Sequence, residues 1–187
     1  LTVGLTLFLL SPIRAAAYGA EPIDVFVSIV PQKYFVERIG GESVKVSIMV
    51  QPGANPATYE PKPRQMVALS KAKAYFAIGV PFEKTWLKRI AAANPKKDVV
   101  QKDDGIEKIP MTDHHHDEAD AHHKADAHDH SGLDPHIWLS PPLVKIQART
   151  IMDTLQKKDP SHRAEYQENY QQFSAQINWI DDELKAI

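Results

Sequence analysis

The hydrophobic positions of the chain form two patterns, short apolar runs of strand length and longer segments of helical period. Four runs rich in β-branched and aromatic residues predict strands at 23–30, 43–50, 74–79 and 98–101. Segments of helical spacing or composition predict helices between them at 32–39, 64–72 and 82–93. Strands that alternate with helices indicate a parallel sheet with helices on both faces. We therefore predict an α/β fold with a parallel four-stranded sheet flanked by helices.

The part of the chain after position 140 predicts helices alone. Pro141 starts a helix expected to reach about Lys158, and Asp159-Pro160 ends it. A longer helix is predicted over 161–187, with apolar residues at three- and four-residue steps, namely Tyr166, Tyr170, Phe173, Ile177, Ile180 and Leu184. Such a stripe is more typical of a core-facing helix surface than of a cofactor site.

The first twenty residues have the pattern of an export signal. Residues 1–10 are apolar but too short to span a bilayer, and small residues follow at 15–17, as a signal peptidase requires. We expect 1–20 to be a signal peptide truncated at its start, because Leu1 stands where a methionine and a basic segment are expected. A buried N-terminal helix or strand is the alternative. The last predicted helix has no stop signal, so we expect truncation there too.

Charge and cysteine content narrow the classes of function. The formal net charge is −2, so no basic surface favours nucleic acid or an anionic membrane. The sequence has no cysteine, which argues against thiolate metal sites, disulfides and lipid attachment through a cysteine. We expect a soluble periplasmic protein, not a lipoprotein, whose metal ligands are His, Asp, Glu or water.

A histidine-rich loop is predicted at 111–132, and no packed core can form from its residues. Imidazole is a good ligand for zinc, and interleaved carboxylates orient ligand rings and attract cations. We interpret the loop as an accessory metal collector; a solvated polar loop without function is the alternative. Its seven histidines are His114, His115, His116, His122, His123, His128 and His130.

Two other loops contain candidate ligands in fixed backbone settings. His136 lies directly after the histidine-rich loop, between Pro135 and an apolar pair, on the approach to a helix. Asp134 is placed to accept the other ring N–H of His136, which is the usual support of a metal-binding imidazole. The loop 51–63 holds four prolines and follows a predicted strand, where ligands of parallel sheets gather.

The segment Asp134-Pro-His-Ile-Trp-Leu-Ser140, preceded by an acidic histidine loop, resembles the periplasmic zinc/manganese-binding proteins of metal ABC importers. The loop 51–63 is similar to that family's first ligand loop, and 161–187 resembles the long helix that joins its two lobes. The resemblance implies an N-terminal metal-binding lobe at 21–160, an inter-lobe helix at 161–187, and a second lobe that this chain lacks.

The family resemblance also implies a metal held between two lobes by histidines from both, commonly completed by a carboxylate. His136 falls on the second ligand position of the N-terminal lobe. The first ligand position falls on Ala57, whose methyl group cannot coordinate a metal. Glu60 and Tyr59 are candidate replacements by proximity alone.

The function implied is capture of a divalent metal and delivery to an ABC permease in the inner membrane, by a monomer. We expect zinc as the bound metal. Manganese is the second option because it prefers more oxygen ligands. The alternative is a histidine-rich periplasmic zinc or nickel buffer without a transporter. An enzyme is the third class, and we expect none, because no His-Glu-x-x-His motif or recognisable nucleophile setting is present.

Overall fold

The computed structural model describes residues 21–95, 98–101, 106–109 and 133–187. The predicted signal peptide and the histidine-rich loop, with its seven histidines, lie outside the described residues. Within the described residues, no helix is both long enough and apolar enough to cross a membrane.

In the part of the chain that the structure describes, four parallel strands form one sheet, as the sequence predicts. They are β1 (Ile23–Val27), β2 (Val44–Ile48), β3 (Ala74–Ala77) and β4 (Asp98–Gln101). Their order across the sheet is β2-β1-β3-β4, and every pairing is parallel. The two central strands are therefore β1 and β3, and their carboxyl ends lie at the same edge of the sheet.

β1 is shorter than the predicted run 23–30 because a helix begins at its end. The Gln32 side chain accepts hydrogen bonds from the backbone N–H groups of Ser28 and Ile29, at 3.0 and 3.1 Å. A side chain at the start of the helix therefore satisfies these two N–H donors, which would otherwise be unpaired at the helix N-terminus. The apolar residue Val30 consequently belongs to the helix and not to the strand.

Among the described residues, five α-helices connect and follow the strands. They are α1 (Val30–Gly40), α2 (Pro63–Leu69), α3 (Pro81–Ala92), α4 (Pro141–Lys158) and α5 (Arg163–Lys185). Proline is the first residue of α2, α3 and α4, where its missing N–H costs no hydrogen bond. A 3₁₀ turn, Pro160–His162, separates α4 from α5, so the final helix starts two residues later than predicted.

The helices cover both faces of the sheet and create two cores. Val25, Val27 and Phe76 face α1, α4 and α5, and the alternate residues Phe26 and Tyr75 face α2 and α3. This alternation follows from the two-residue period of a strand. The prediction of a parallel sheet with helices on both sides is confirmed.

The α4–α5 junction is closed by the carboxylate of Asp159. It accepts hydrogen bonds from the Ser161 hydroxyl, from Nδ1 of His162 at 2.6 Å and from the Tyr166 hydroxyl at 2.7 Å. Burial raises the pKa of Asp159, but these three donors outweigh it and lower the pKa below its ordinary value. The junction is therefore held in one geometry by an ionised carboxylate.

Candidate metal-binding cleft

A cleft of about 710 Å³ lies at the carboxyl ends of β1, β2 and β3. Its walls come from three strand-end segments, 29–31, 50–57 and 79–81, and from the segment around His136. β1 lies between β2 and β3, and α1 packs on the opposite face of the sheet from α2 and α3. The helices that follow β1 and β3 therefore lie on opposite faces of the sheet, which leaves a crevice between the ends of these two strands. Ligands of open α/β sheets bind in such crevices.

His136 is held at the cleft by Asp134. Oδ1 of Asp134 accepts the backbone N–H of His136 at 2.9 Å and lies 2.6 Å from its ring Nδ1. These bonds hold the pKa of the Asp134 carboxyl below its ordinary value. With the Nδ1 proton directed to a carboxylate, the lone pair of the imidazole is on Nε2. The His136 side chain is 53 % exposed, so Nε2 is available to a metal ion.

Trp138 supports the imidazole from the side. The ring centroids of His136 and Trp138 are 5.0 Å apart, and Trp138 also lines the cleft. The indole is half-buried and packs against both hydrophobic cores. The turn that contains His136 and Trp138 is held by Gln147, whose side-chain amide donates a hydrogen bond to the carbonyl of Ile137 at 3.1 Å. His136 is thus carried by a packed turn and not by a free loop.

A buried polar network that the sequence analysis missed adjoins the cleft at the lining residues Ile29 and Gly79. The Glu83 carboxylate accepts hydrogen bonds from the Ser28 hydroxyl and from the backbone N–H groups of Ile78 and Gly79. The Ser28 hydroxyl also lies 2.6 Å from the Tyr75 hydroxyl. Burial, and then the charge of Glu83, raise the pKa of Tyr75, which stays a neutral phenol.

Together with Gln32, Glu83 links the carboxyl ends of β1 and β3. The Gln32 amide donates to the carbonyl of Phe76 on β3 at 3.1 Å and accepts from the start of α1. The sequence contains one signal for this network, because Gln32 and Glu83 both occupy the first turn of a helix that follows a strand. Side chains of this kind commonly satisfy free backbone N–H groups.

The proline-rich loop presents a methyl group at the position of the expected first ligand. Ala57 lines the cleft, and its N–H donates to Oδ1 of Asn55 at 2.8 Å. Glu60 is exposed and is not among the residues that line the cleft. The Tyr59 hydroxyl donates to Gln65 at 2.7 Å. The roles of Glu60 and Tyr59 as ligands stay predictions.

The described lining of the cleft thus contains one imidazole, His136, and one basic side chain, Lys84. None of the lining residues that the structure describes is Asp or Glu. In the described part of the chain, no three His, Asp, Glu or Cys side chains lie close enough together to hold a metal. The structure therefore places His136 and Asp134 together at the cleft, and the loop histidines lie outside its description.

The match to a family model covers residues 25–187 and is to the zinc-uptake complex component A, periplasmic. The chain is 41% identical to a crystal structure of ZnuA with a TM-score of 0.73, covering 87% of this chain and 57% of that one. A zinc-bound ZnuA deletion mutant matches with the same identity and coverage and a TM-score of 0.74.

Among curated relatives, the manganese-binding lipoprotein MntA of Halalkalibacterium halodurans is 30% identical over 81% of this chain and 46% of its own length. The chain therefore spans about half the length of the proteins it matches. Because that relative is a lipoprotein, the expectation of a protein without a lipid anchor stays a prediction. With a family match over most of its length and this parallel α/β architecture, the chain belongs to the family of the periplasmic zinc-uptake complex component A, a family of solute-binding transport proteins.

Proposed function

We propose that the chain is the metal-capturing lobe of an extracytoplasmic solute-binding protein that takes zinc from the periplasm and delivers it to an ABC permease in the inner membrane. The observation that carries this proposal is the imidazole of His136, which lines the cleft and is held through Nδ1 by Asp134. The action needs no bond chemistry, because the ion is bound, held and released.

Zinc is the proposed cargo because the candidate ligand His136 is a nitrogen donor. Imidazole suits zinc, whereas manganese favours carboxylates, carbonyls and water. One relative of known structure has zinc bound, and another relative is a manganese-binding lipoprotein. Manganese is therefore the competing ion in any binding experiment.

We also propose the division of the chain predicted above, with an export signal at 1–20, a metal-binding lobe at 21–160 and an inter-lobe helix at 161–187. The far part of α5 supports a further packing partner, since Trp179 and Leu184 are 64% and 55% exposed. In this division the second lobe packs on that surface and supplies the remaining ligands. The histidine-rich loop 111–132 acts as an accessory collector beside His136.

Zinc affinity measured by competition with a chromophoric chelator tests the proposal. His136→Ala is expected to lose the tightest site, and His162→Gln serves as the matched control because His162 lies at the α4–α5 junction. Deletion of 113–130 is expected to reduce the number of bound ions but to retain the tightest one.

The opposite pattern would support a histidine-rich buffer and contradict the transport role at His136. In that case the tightest site would survive His136→Ala and disappear with residues 113–130. Zinc-limited growth of a bacterium that lacks its own zinc-binding component is the second measurement. The protein joined to its second lobe should restore growth, and its His136→Ala variant should not.

A further inference from the structure

The layer formed by α2 and α3 has a concentrated positive charge at its surface. Residues 61–95 contain seven basic side chains, all of them exposed, and one acidic side chain, Glu83. Glu83 is 4% exposed, and its carboxylate accepts the backbone N–H groups of Ile78 and Gly79, so it is directed into the protein. Six of the basic residues lie on α2 and α3 or within two residues of these helices, and we call them the basic face: Lys62, Arg64, Lys71, Lys84, Lys88 and Arg89.

The helices on the opposite side of the sheet have a balanced charge. Together, α1, α4 and α5 contain eight basic and seven acidic residues. Some of these pair along their own helix, such as Lys33 with Glu37 at 3.4 Å and Arg149 with Asp153 at 3.2 Å. The formal net charge of −2 is therefore an average over unlike surfaces, and it does not exclude a basic surface on this chain.

The composition of the basic face fits a flat array of anionic groups. Four of its six residues are lysines, and an ammonium group is a point charge that pairs with phosphate oxygens in many arrangements. Thr85 and Val67, which is 61% exposed, place small and apolar side chains beside these charges. The guanidinium of Arg89 lies 4.8 Å from the ring of Trp86, a residue type that is enriched at membrane interfaces. Clusters of this kind are typical of surfaces that bind anionic phospholipid headgroups.

The basic face is continuous across the two helices. The rings of Tyr59 and Phe82 pack edge to face with centroids 5.9 Å apart, so the start of α2 lies beside the start of α3. Lys62 and Lys84 belong to these two helix starts. From there, the 12 residues of α3 extend the face over about 18 Å. A bilayer surface is wide enough to contact the whole of this face, whereas a small anion would contact only one or two of its side chains.

We propose that the basic face binds the phosphate groups of an anionic phospholipid bilayer and holds the protein on the membrane surface. Each lysine near such a bilayer strengthens binding by about fivefold. Lys84 belongs both to the basic face and to the wall of the cleft, so the cleft lies beside the bound membrane. This inference goes beyond the proposed capture of zinc and does not depend on it, because neither the metal ion nor His136 takes part in the contact.

Co-sedimentation of the 187-residue chain with lipid vesicles tests the proposal. Vesicles that contain phosphatidylglycerol should bind the chain more tightly than vesicles of phosphatidylcholine alone, which give the baseline, and salt at about 0.5 M should remove the difference. Lys71→Gln combined with Lys88→Gln should weaken binding to the anionic vesicles about 25-fold. The matched control is Lys33→Gln combined with Lys157→Gln on α1 and α4, which changes the net charge equally and should weaken binding by no more than about twofold.

Equal binding to the two kinds of vesicle at low salt would overturn the proposal, and so would equal weakening in the two double variants. A further variant without the acidic segment 113–130 tests the competing occupant of the basic face. If vesicle binding appears only after this deletion, the segment itself occupies the face and the proposal is wrong.

Zinc affinity measured on the same variants separates this proposal from the proposed function. Lys71 and Lys88 are not among the described lining residues of the cleft, so their substitution should leave zinc binding unchanged. A chain that binds anionic vesicles but no zinc contradicts the proposed function alone. A chain that binds zinc but shows no preference for anionic vesicles contradicts the membrane proposal alone.

Discussion

The hydrogen bond between Asp134 and His136 yields a quantitative expectation. Oδ1 of Asp134 lies 2.6 Å from Nδ1 of His136 and also accepts the His136 backbone N–H at 2.9 Å. Loss of a carboxylate behind a metal-binding imidazole typically lowers metal affinity by about 10- to 100-fold. The Asp134 side chain is 35% exposed, so water screens and partly replaces it, and we expect a loss near the lower figure.

Two substitutions separate the charge of Asp134 from its role as an acceptor. Asp134→Asn keeps an oxygen that can accept both N–H groups but removes the negative charge, so we expect only part of the loss. Asp134→Ala removes both bonds, and zinc affinity should fall about tenfold. The assay is chelator competition in a background without residues 113–130, so that the loop histidines do not mask the site.

Nitrogen-15 NMR of the imidazole provides an independent measurement of the same interaction. The proton should be on Nδ1 in the starting protein, and both tautomers should appear in Asp134→Ala. The reasoning is refuted if Asp134→Ala changes zinc affinity less than twofold while His136→Ala abolishes binding. It is also refuted if the proton is found on Nε2 of the metal-free protein.

Three further predictions concern other described contacts. Zinc binding should change the fluorescence of Trp138, which is 5.0 Å from the His136 ring, and the signal should vanish in Trp138→Phe. Gly40→Ala should destabilise the fold by about 1–3 kcal/mol in urea unfolding, because its Cβ would overlap the Val44 side chain; a loss below about 0.5 kcal/mol would contradict the tight contact. Asp159 has a lowered pKa, so it stabilises the fold above its ordinary pKa of about 3.9 and less as pH falls through its folded pKa. Asp159→Asn should therefore reduce stability at pH 7, with a smaller difference below pH 4, and an equal difference at both values would contradict the ionised junction.

The architecture could be predicted from the sequence because short apolar runs alternate with segments of helical period along the chain. β4 and α4 have the predicted bounds, since Asp98 and Pro141 mark their beginnings without ambiguity. The end of β1 could not be predicted, because Val30 is as apolar as the strand before it. A hydrogen bond that the Gln32 side chain accepts from the backbone N–H of Ile29, and not hydrophobicity, decides where the strand stops.

The candidate site was predictable only where its contacts are local. Asp134 and His136 are two residues apart, so their pairing follows from a short proline-bounded segment. Ser28 and Glu83 are 55 residues apart, and only the order of the strands brings them together. The position of Lys84 is equally hard to predict, because nothing near it in the sequence indicates that it lines a cleft. Long-range polar partners require the sheet topology first.

Helix α4 connects the two ends of the lobe mechanically. Pro141, its first residue, follows the turn that carries His136, and Lys158, its last, precedes the junction. An α-helix of 18 residues is a rod of about 27 Å, so a small rotation at the cleft becomes a larger displacement at the far end. The sequence contains no cysteine, so Lys157→Cys, at a side chain that is 73% exposed, would provide its only thiol. A dye attached there would report occupancy of the cleft from the opposite end of α4.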